Sequence, residues 1–209
     1  MSELFELFKA ADYHFGSCSV RVYDRKLGPD DFLLQLYRSS LPRLASTFCG
    51  MTDLSSAAIC AYLSTRSPLL LACADNPGMP GGLEVIGYSF PTIWAGPRMG
   101  SIDPDPGRSM FLGYTFFKPW WGKPEISVCM MLTGIYYFHE FGLLSIGGQR
   151  LECNRLTSKF LSQFGVVDTG YIPDFLMHGG KMVKCCLSSL SRSDFESYVR
   201  HTLSECSQI

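Results

Sequence analysis

The segment FFKPWWGKPEIS, which ends at Ser127, joins a strand-like aromatic stretch to a long apolar helical pattern. The first N–H groups of a helix have no partners within the helix, and the helix dipole makes that end partially positive. Phosphate groups bind at helix starts for these reasons. Gly122 would let the backbone approach such a ligand, Lys123 supplies a cation, and Pro124 suits the first helical turn. The segment indicates an anion site, although a purely structural strand–helix connection has the same composition.

A second informative segment runs from Asn154 to Gly170 and reads NRLTSKFLSQFGVVDTG. Its first part predicts an amphipathic helix, because its apolar residues recur on one face. Gly165 is placed to end that helix. Asn154 and Thr157 lie at its start, and the residues after Gly165 predict a short strand.

Together, these two segments and the apolar helix resemble the GNAT family of acyl-CoA N-acyltransferases, most closely its branch of ribosomal-protein N-terminal acetyltransferases. In that branch an aromatic-Trp-Gly-Lys-Gly loop opens a long helix, and an Asn-x-x-Ser segment starts a second one. Here residues 120–123 (WWGK) fill the loop position, and Asn154 with Thr157 stands for Asn-x-x-Ser. The resemblance covers about residues 83–199 and depends on the order and spacing of the motifs.

The resemblance implies a fold and a cofactor. The fold is a mixed α/β (α+β) domain with a mainly antiparallel central sheet, flanked by helices and splayed between two parallel strands. The pantetheine arm of acetyl-CoA would lie in the splay, with the pyrophosphate on the loop and helix start. The cofactor-binding residues implied in this way are Trp121, Gly122, Lys123, Glu125, Ile126, Ser127 and Asn154.

The implied reaction is acetyl transfer to a primary amine, either a protein N-terminus or a small molecule. It needs a base for the amine proton, a proton donor for the leaving thiolate and N–H groups for the oxyanion. The family's carboxylate position holds Leu176 here, and Asp174 would share its face in a regular strand. Asp174, acting through a water, is therefore the predicted base, and Thr157 is the predicted proton donor. The alternative for Asp174 is an ordinary turn residue after Pro173. The alternative for Thr157 is an ordinary residue of the first helical turn.

Other side chains are further candidates for the acceptor side. They are Glu84, Asp103 and Asp105 as base or amine ligand, and Tyr88 and Tyr114 as walls of an acceptor pocket. His139 is predicted to be an ordinary core or surface histidine.

Two residues depart from the family pattern. Pro124 replaces the second loop glycine and removes one N–H that would point at phosphate, and Glu125 adds a negative charge nearby. These changes favour an alternative to the enzyme, namely a catalytically degenerate binding or structural protein with the same fold and weak or no CoA binding.

Composition restricts the other possibilities. The 209 residues carry a net charge of −1 and 46% hydrophobic side chains, which argues against disorder and against a diffuse nucleic-acid surface. The nine cysteines show no C-x-x-C spacing, so they predict reduced core thiols and no metal site. No apolar run is long enough to cross a membrane, and no targeting segment is recognised, so a cytoplasmic protein without membrane contact is expected. The many aromatic side chains and few charges leave a homodimer possible.

The sequence predicts one domain, 1–209, with an acceptor side in residues 1–82 and a cofactor-binding core in residues 83–203. Helices are expected at the N-terminus and at 30–47, 54–65, 125–141, 154–164 and 191–203. Strands are expected at 19–23, 68–74, 83–94, 109–117, 143–151, 166–172 and 175–187. A corner at Pro173 and Asp174 is expected between the last two, and a His178-Gly179-Gly180 turn within the last.

Overall fold

The computed structural model describes residues 3–24, 32–41, 51, 53–92, 108–178 and 181–206. The strands are β1 (His14–Phe15), β2 (Cys18–Val22), β3 (Leu70–Asp75), β4 (Leu83–Thr92), β5 (Ser109–Phe116), β6 (Ser145–Leu151), β7 (Val167–His178) and β8 (Lys181–Ser191). The helices are α1 (Glu3–Ala10), α2 (Phe32–Ser40), α3 (Ser56–Ser64), α4 (Pro124–Glu140), α5 (Arg155–Ser162) and α6 (Arg192–Cys206). None of these helices is long and apolar enough to traverse a lipid bilayer.

The strands form one sheet in the order β1-β2-β3-β4-β5-β6-β8-β7. Every pair is antiparallel except β5 with β6, which are parallel. Their parallel pairing extends only from Ser109 opposite Ser145 to Phe111 opposite Gly147, although both strands continue beyond it. The predicted fold class, a mainly antiparallel sheet splayed between two parallel strands and flanked by helices, is confirmed.

Helices cover both faces of the sheet. Successive β3 residues contribute to two different cores, since Leu70 and Ala72 pack with α1, α4, α5 and α6, whereas Leu71 packs with α2 and α3. The first core is built around α4, which is buried on most of its circumference. Helix α4 follows β5 and precedes β6, so it forms the crossover that a parallel pair of strands requires.

The first turn of α4 has the local sequence that a helix start favours. Pro124 occupies the first helical position, where its missing N–H breaks no intrahelical bond. Gly122 adopts a φ of +82°, which places it in the left-handed region that glycine tolerates best. The loop therefore turns sharply from β5 into α4 and leaves the helix start at the edge of the splay.

The C-terminal strands differ from the prediction in one respect. Two strands with a corner at Pro173 and Asp174 were expected, but β7 is a single strand from Val167 to His178. Its register against β8 shifts between Ile172 and Leu176, so the expected corner is a bulge within the strand. Pro173 has no N–H for a ladder hydrogen bond, and β7 is an edge strand, where such a residue is tolerated.

The N-terminal half differs in its details. The described part of the helix expected at 30–47 spans Phe32–Ser40, and residues 42–47 lie outside the described part of the chain. The short strand β1, which pairs with β2, was not expected.

Candidate cofactor-binding site

A cavity of about 610 Å³ occupies the splay between β5 and β6. Its walls come from the part of β5 that does not pair with β6, from β6, from the start of α4 and from α5. Leu112 and Tyr114 of β5 stand on one side and Gly148 of β6 on the other. The divergence of the two parallel strands therefore produces the opening that the sequence predicted.

The loop before α4 is held by contacts of its two tryptophans. The indole N–H of Trp121 donates to the backbone oxygen of Phe116 at 2.7 Å. The ammonium of Lys123 lies 4.0 Å from the centre of the Trp120 ring, a cation–π distance. Trp121, Gly122 and Lys123 all line the cavity, so the predicted loop forms part of its wall.

Glu84 supports this loop from behind. One of its carboxylate oxygens accepts a hydrogen bond from the Trp120 indole at 3.1 Å, and the other accepts one from the Asn76 amide at 2.8 Å. Glu84 is not part of the cavity wall. Glu84, which was a candidate base, instead orients Trp120. The Trp120 ring in turn contacts the ammonium of Lys123.

The first turn of α4 presents some of the predicted residues to the cavity and turns others away. Ile126 and Ser127 line the cavity, as does Pro124. The Glu125 side chain does not, and its Oε2 atom is buried without a hydrogen-bond partner among the described residues. A carboxylate in the first helical turn is stabilised by the helix dipole. Glu125, predicted to bind the cofactor, therefore does not belong to the cavity wall.

The start of α5 forms the opposite wall. Asn154 precedes the helix, and its Oδ1 atom accepts a hydrogen bond from the Thr157 backbone N–H at 3.4 Å. Such a contact is an N-cap, which holds the helix start in place. Both residues line the cavity, so the structure brings Asn154 and Thr157 to the same space as Lys123.

Two residues of β6 in the cavity wall were not singled out from the sequence. Arg150 is buried, and its guanidinium forms a 2.5 Å ion pair with Asp168 of β7. Gln149, its neighbour, also lines the cavity. The motif IGGQRL showed only a strand interrupted by two glycines, and the register that brings these side chains to the splay depends on pairing with β8.

Asp174 lies apart from this cavity. It is exposed on the edge strand β7 and has a φ of +44° within the bulge. Strand β8 separates β7 from β6, and Asp174 is not part of the cavity wall. The regular strand needed to align Asp174 with the position of Leu176 is absent, because the register shifts between Ile172 and Leu176.

This placement leads to a prediction for the Asp174→Asn variant. We expect the variant to retain the turnover of the wild type within about twofold, because the carboxylate lies outside the cavity. Initial rates at saturating acetyl-CoA would measure this. A tenfold loss of turnover with unchanged cofactor affinity would contradict it and restore Asp174 as a base.

The remaining candidates have different surroundings. Tyr114 lines the cavity, and burial raises the pKa of its hydroxyl, so this group stays protonated at neutral pH. Tyr88 lies in the core on the other face, with its hydroxyl 2.7 Å from that of Ser40. His139 is buried beside Glu140 at the end of α4 and does not line the cavity. Asp103 and Asp105 lie outside the described residues.

No protein-family model matches the sequence, and no curated protein is similar to it in sequence. The fold, in contrast, is similar to many solved structures. A GNAT-family acetyltransferase from Bacillus anthracis matches with a TM-score of 0.61 at 11% identity, over 86% of this chain and 98% of that one. A spermidine/spermine N-acetyltransferase from Vibrio cholerae matches with a TM-score of 0.61 at 12% identity, over 87% and 97%.

A third similar structure is a Salmonella typhimurium protein solved with its cofactor acetyl-CoA, with a TM-score of 0.57 at 15% identity, over 84% of this chain and 94% of that one. The chain therefore has the fold of the GNAT acetyltransferases. Nothing in these structural matches singles out the ribosomal-protein branch.

Proposed function

We propose that this protein is an acetyl-CoA-dependent N-acetyltransferase. The observation that carries the proposal is the cavity between the parallel strands β5 and β6, which has the start of a long buried helix at one end. A linear cofactor with an anionic end fits a cleft of this kind. The GNAT fold of the solved acetyltransferases adds support.

The residues in the cavity wall suit both ends of such a cofactor. The Gly122 and Ser127 backbone N–H groups and the Lys123 ammonium would bind the pyrophosphate. The edges of β5 and β6 that face the splay carry backbone donors and acceptors that match the amides of a pantetheine arm. Ile126, with Met130 behind it, supplies apolar surface for the rest of the arm.

When bound, acetyl-CoA would supply an activated acetyl group as a thioester. The chain's own residues would hold that group away from water and provide a proton for the leaving thiolate. Thr157 is the proposed donor, because this residue belongs to the cavity wall and its backbone position is fixed by the Asn154 cap. The acceptor is proposed to be a primary amine of a protein N-terminus or a small molecule. The proposed amine would lose its proton to a water molecule.

A second candidate function is a GNAT-fold binding protein without catalysis. The observation that favours it is Pro124, which lies in the cavity wall at the first helical position and has no N–H to offer a phosphate. A missing charge-assisted hydrogen bond costs about 1.5–3 kcal/mol of binding free energy. The enzyme hypothesis requires the remaining donors and Lys123 to compensate.

Titration with acetyl-CoA distinguishes the two functions. For the enzyme we expect a saturable heat of binding and, at about 100 times the dissociation constant, an added stability of about 2.7 kcal/mol in thermal unfolding. Release of CoA thiol in the presence of a panel of primary amines would then identify the acceptor class. Absence of binding up to millimolar acetyl-CoA would contradict the enzyme and support the non-catalytic protein.

A further inference from the structure

The hydroxyl of Tyr114 has different surroundings from other tyrosine hydroxyls of the interior. The hydroxyl of Tyr88 lies 2.7 Å from that of Ser40, and the hydroxyl of Tyr137 accepts a hydrogen bond from Ser89. No residue in the described part of the chain forms a hydrogen bond with the Tyr114 hydroxyl. Buried tyrosine hydroxyls usually have a partner, so this exception requires a reason.

The Tyr114 hydroxyl is accessible. Five side-chain polar atoms are both fully buried and without a partner among the residues that the structure describes, and the Tyr114 oxygen is not one of them. Because it has no partner either, it keeps accessible surface. The residue is half-buried, yet burial raises the pKa of its hydroxyl, which stays protonated at neutral pH. Both properties are expected where the accessible surface faces an enclosed space, and Tyr114 lines the cavity in the splay.

The Tyr114 side chain lies on the face of β5 that α4 covers. Leu112 and Phe116, two residues before and after it, pack in the core around α4, as Tyr114 does. Residues two apart in a strand share a face. Lys123 and the start of α4 line the same cavity. A ligand that extends from them into the splay therefore lies beside Tyr114.

The position of Tyr114 along β5 indicates which part of a cofactor it meets. The pairing of β5 with β6 ends at Phe111, three residues before Tyr114 and about 10 Å away along the strand. The loop before α4 is held to Phe116 by the Trp121 indole, two residues after Tyr114 and about 7 Å away. Tyr114 therefore lies between the narrow end of the splay and the predicted pyrophosphate site.

The chemistry of the cofactor fits this position. The pantetheine arm of CoA has its two amide groups between the pyrophosphate and the sulfur. With the pyrophosphate at the loop and the arm extended towards the narrow end, the amides lie along the middle of the splay, beside Tyr114. An amide carbonyl oxygen accepts hydrogen bonds, and a protonated phenol donates one. In the free protein water takes this hydrogen bond, and the arm replaces the water.

We propose that the Tyr114 hydroxyl donates a hydrogen bond to an amide carbonyl oxygen of the pantetheine arm and thereby holds the arm along β5. This inference rests on the proposed function. The amide does not change during acetyl transfer, so the contact is equally strong in the ground state and in the transition state. Such a contact contributes to cofactor affinity and leaves turnover unchanged.

The Tyr114→Phe variant tests the proposal, because it removes only the hydroxyl. We expect the affinity for acetyl-CoA and for CoA to fall about five- to tenfold, the effect of losing one uncharged hydrogen bond. Turnover at saturating acetyl-CoA should stay within about twofold of the wild type. The affinity for adenosine 3′,5′-bisphosphate, which has no pantetheine arm, should not change. Tyr171→Phe on the exposed edge strand β7 is the matched control and should change none of these quantities.

Two further measurements separate a contact with the arm from a structural role. The midpoint of urea unfolding should not fall in Tyr114→Phe, since the hydroxyl has no protein partner to lose. CoA labelled with ¹³C at its amide carbonyls should show one amide band at a lower frequency when bound to the wild type than when bound to Tyr114→Phe. A lower unfolding midpoint with identical amide bands would overturn the proposal.

The binding results decide between this contact and the proposed function. Unchanged affinity for acetyl-CoA in Tyr114→Phe would overturn the contact while the proposed function stands. A tenfold loss of turnover with unchanged affinity would also overturn it, because the hydroxyl would then act in the reaction. Equal losses of affinity for acetyl-CoA and for adenosine 3′,5′-bisphosphate would exclude the arm as the partner. If the wild type bound no acetyl-CoA, the proposed function itself would fail and this contact with it.

Discussion

Replacement of Lys123 by glutamate is expected to weaken acetyl-CoA binding by about a hundredfold. Lys123 lines the cavity, and its ammonium lies over the Trp120 ring, next to the start of α4. Removing a charge-assisted contact and adding a repulsive charge near the pyrophosphate together cost about 2.7 kcal/mol, which corresponds to that factor. Calorimetric titration at two salt concentrations would measure it, and the loss should shrink at high salt, where the charges are screened.

Lys181→Glu provides the control for net charge. Lys181 is exposed on β8 and does not line the cavity, so this variant changes the protein's charge by the same amount away from the site. We expect less than a twofold effect on affinity. Equal losses in both variants would mean that Lys123 acts only through net charge, and no loss in Lys123→Glu would remove the loop from the binding site.

Replacement of Phe195 by alanine is expected to destabilise the folded state by about 3–5 kcal/mol, the range for a fully buried phenylalanine. Phe195 is 1% exposed and packs against Phe5 of α1 and Phe138 of α4. A Cβ atom on Gly134 would come within 2.5 Å of the Phe195 ring, so α4 and α6 are in close contact here. Urea unfolding followed by circular dichroism would measure the change.

Two further variants make the Phe195 result interpretable. Phe195→Leu leaves a smaller void and should retain a measurable unfolding transition if the alanine variant does not fold. Tyr171→Ala removes an aromatic ring that is 56% exposed on β7, and we expect it to change the unfolding free energy by less than about 1 kcal/mol. A change below about 1 kcal/mol in Phe195→Ala would contradict the packing described here.

The fold was predictable from the sequence because its main signals are local. The apolar helix that became α4 and the loop with Gly122 and Lys123 each depend on a few neighbouring residues, and the order of these elements restricts the topology. The bounds of β5 differ from the predicted ones by one residue at its end, and those of α4 by one residue at each end. A long apolar run preceded by a loop with Gly122 and Pro124 is sufficient to place α4, and no distant contact is needed to recognise it.

The site residues that were missed depend on distant contacts. Asp174 was placed by counting along a regular strand, but β7 has two extra residues relative to β8 between Ile172 and Leu176, so Asp174 lies in a bulge without a regular partner on β8. Glu84 was a candidate base because it carries a carboxylate. Both oxygens of that carboxylate accept hydrogen bonds, from Trp120 and from Asn76.

The short pairing of β5 with β6 also affects how the molecule holds together. Hydrogen bonds between the two halves of the sheet are limited to the stretch that ends at Phe111 and Gly147. Helix α4 contacts β2 and β3 in one half and β6 in the other, so it connects the two halves where β5 and β6 diverge. The gap between β5 and β6 is thus the part of the sheet with the fewest backbone hydrogen bonds, and a ligand bound along both strand edges would stiffen the sheet by replacing the missing bonds.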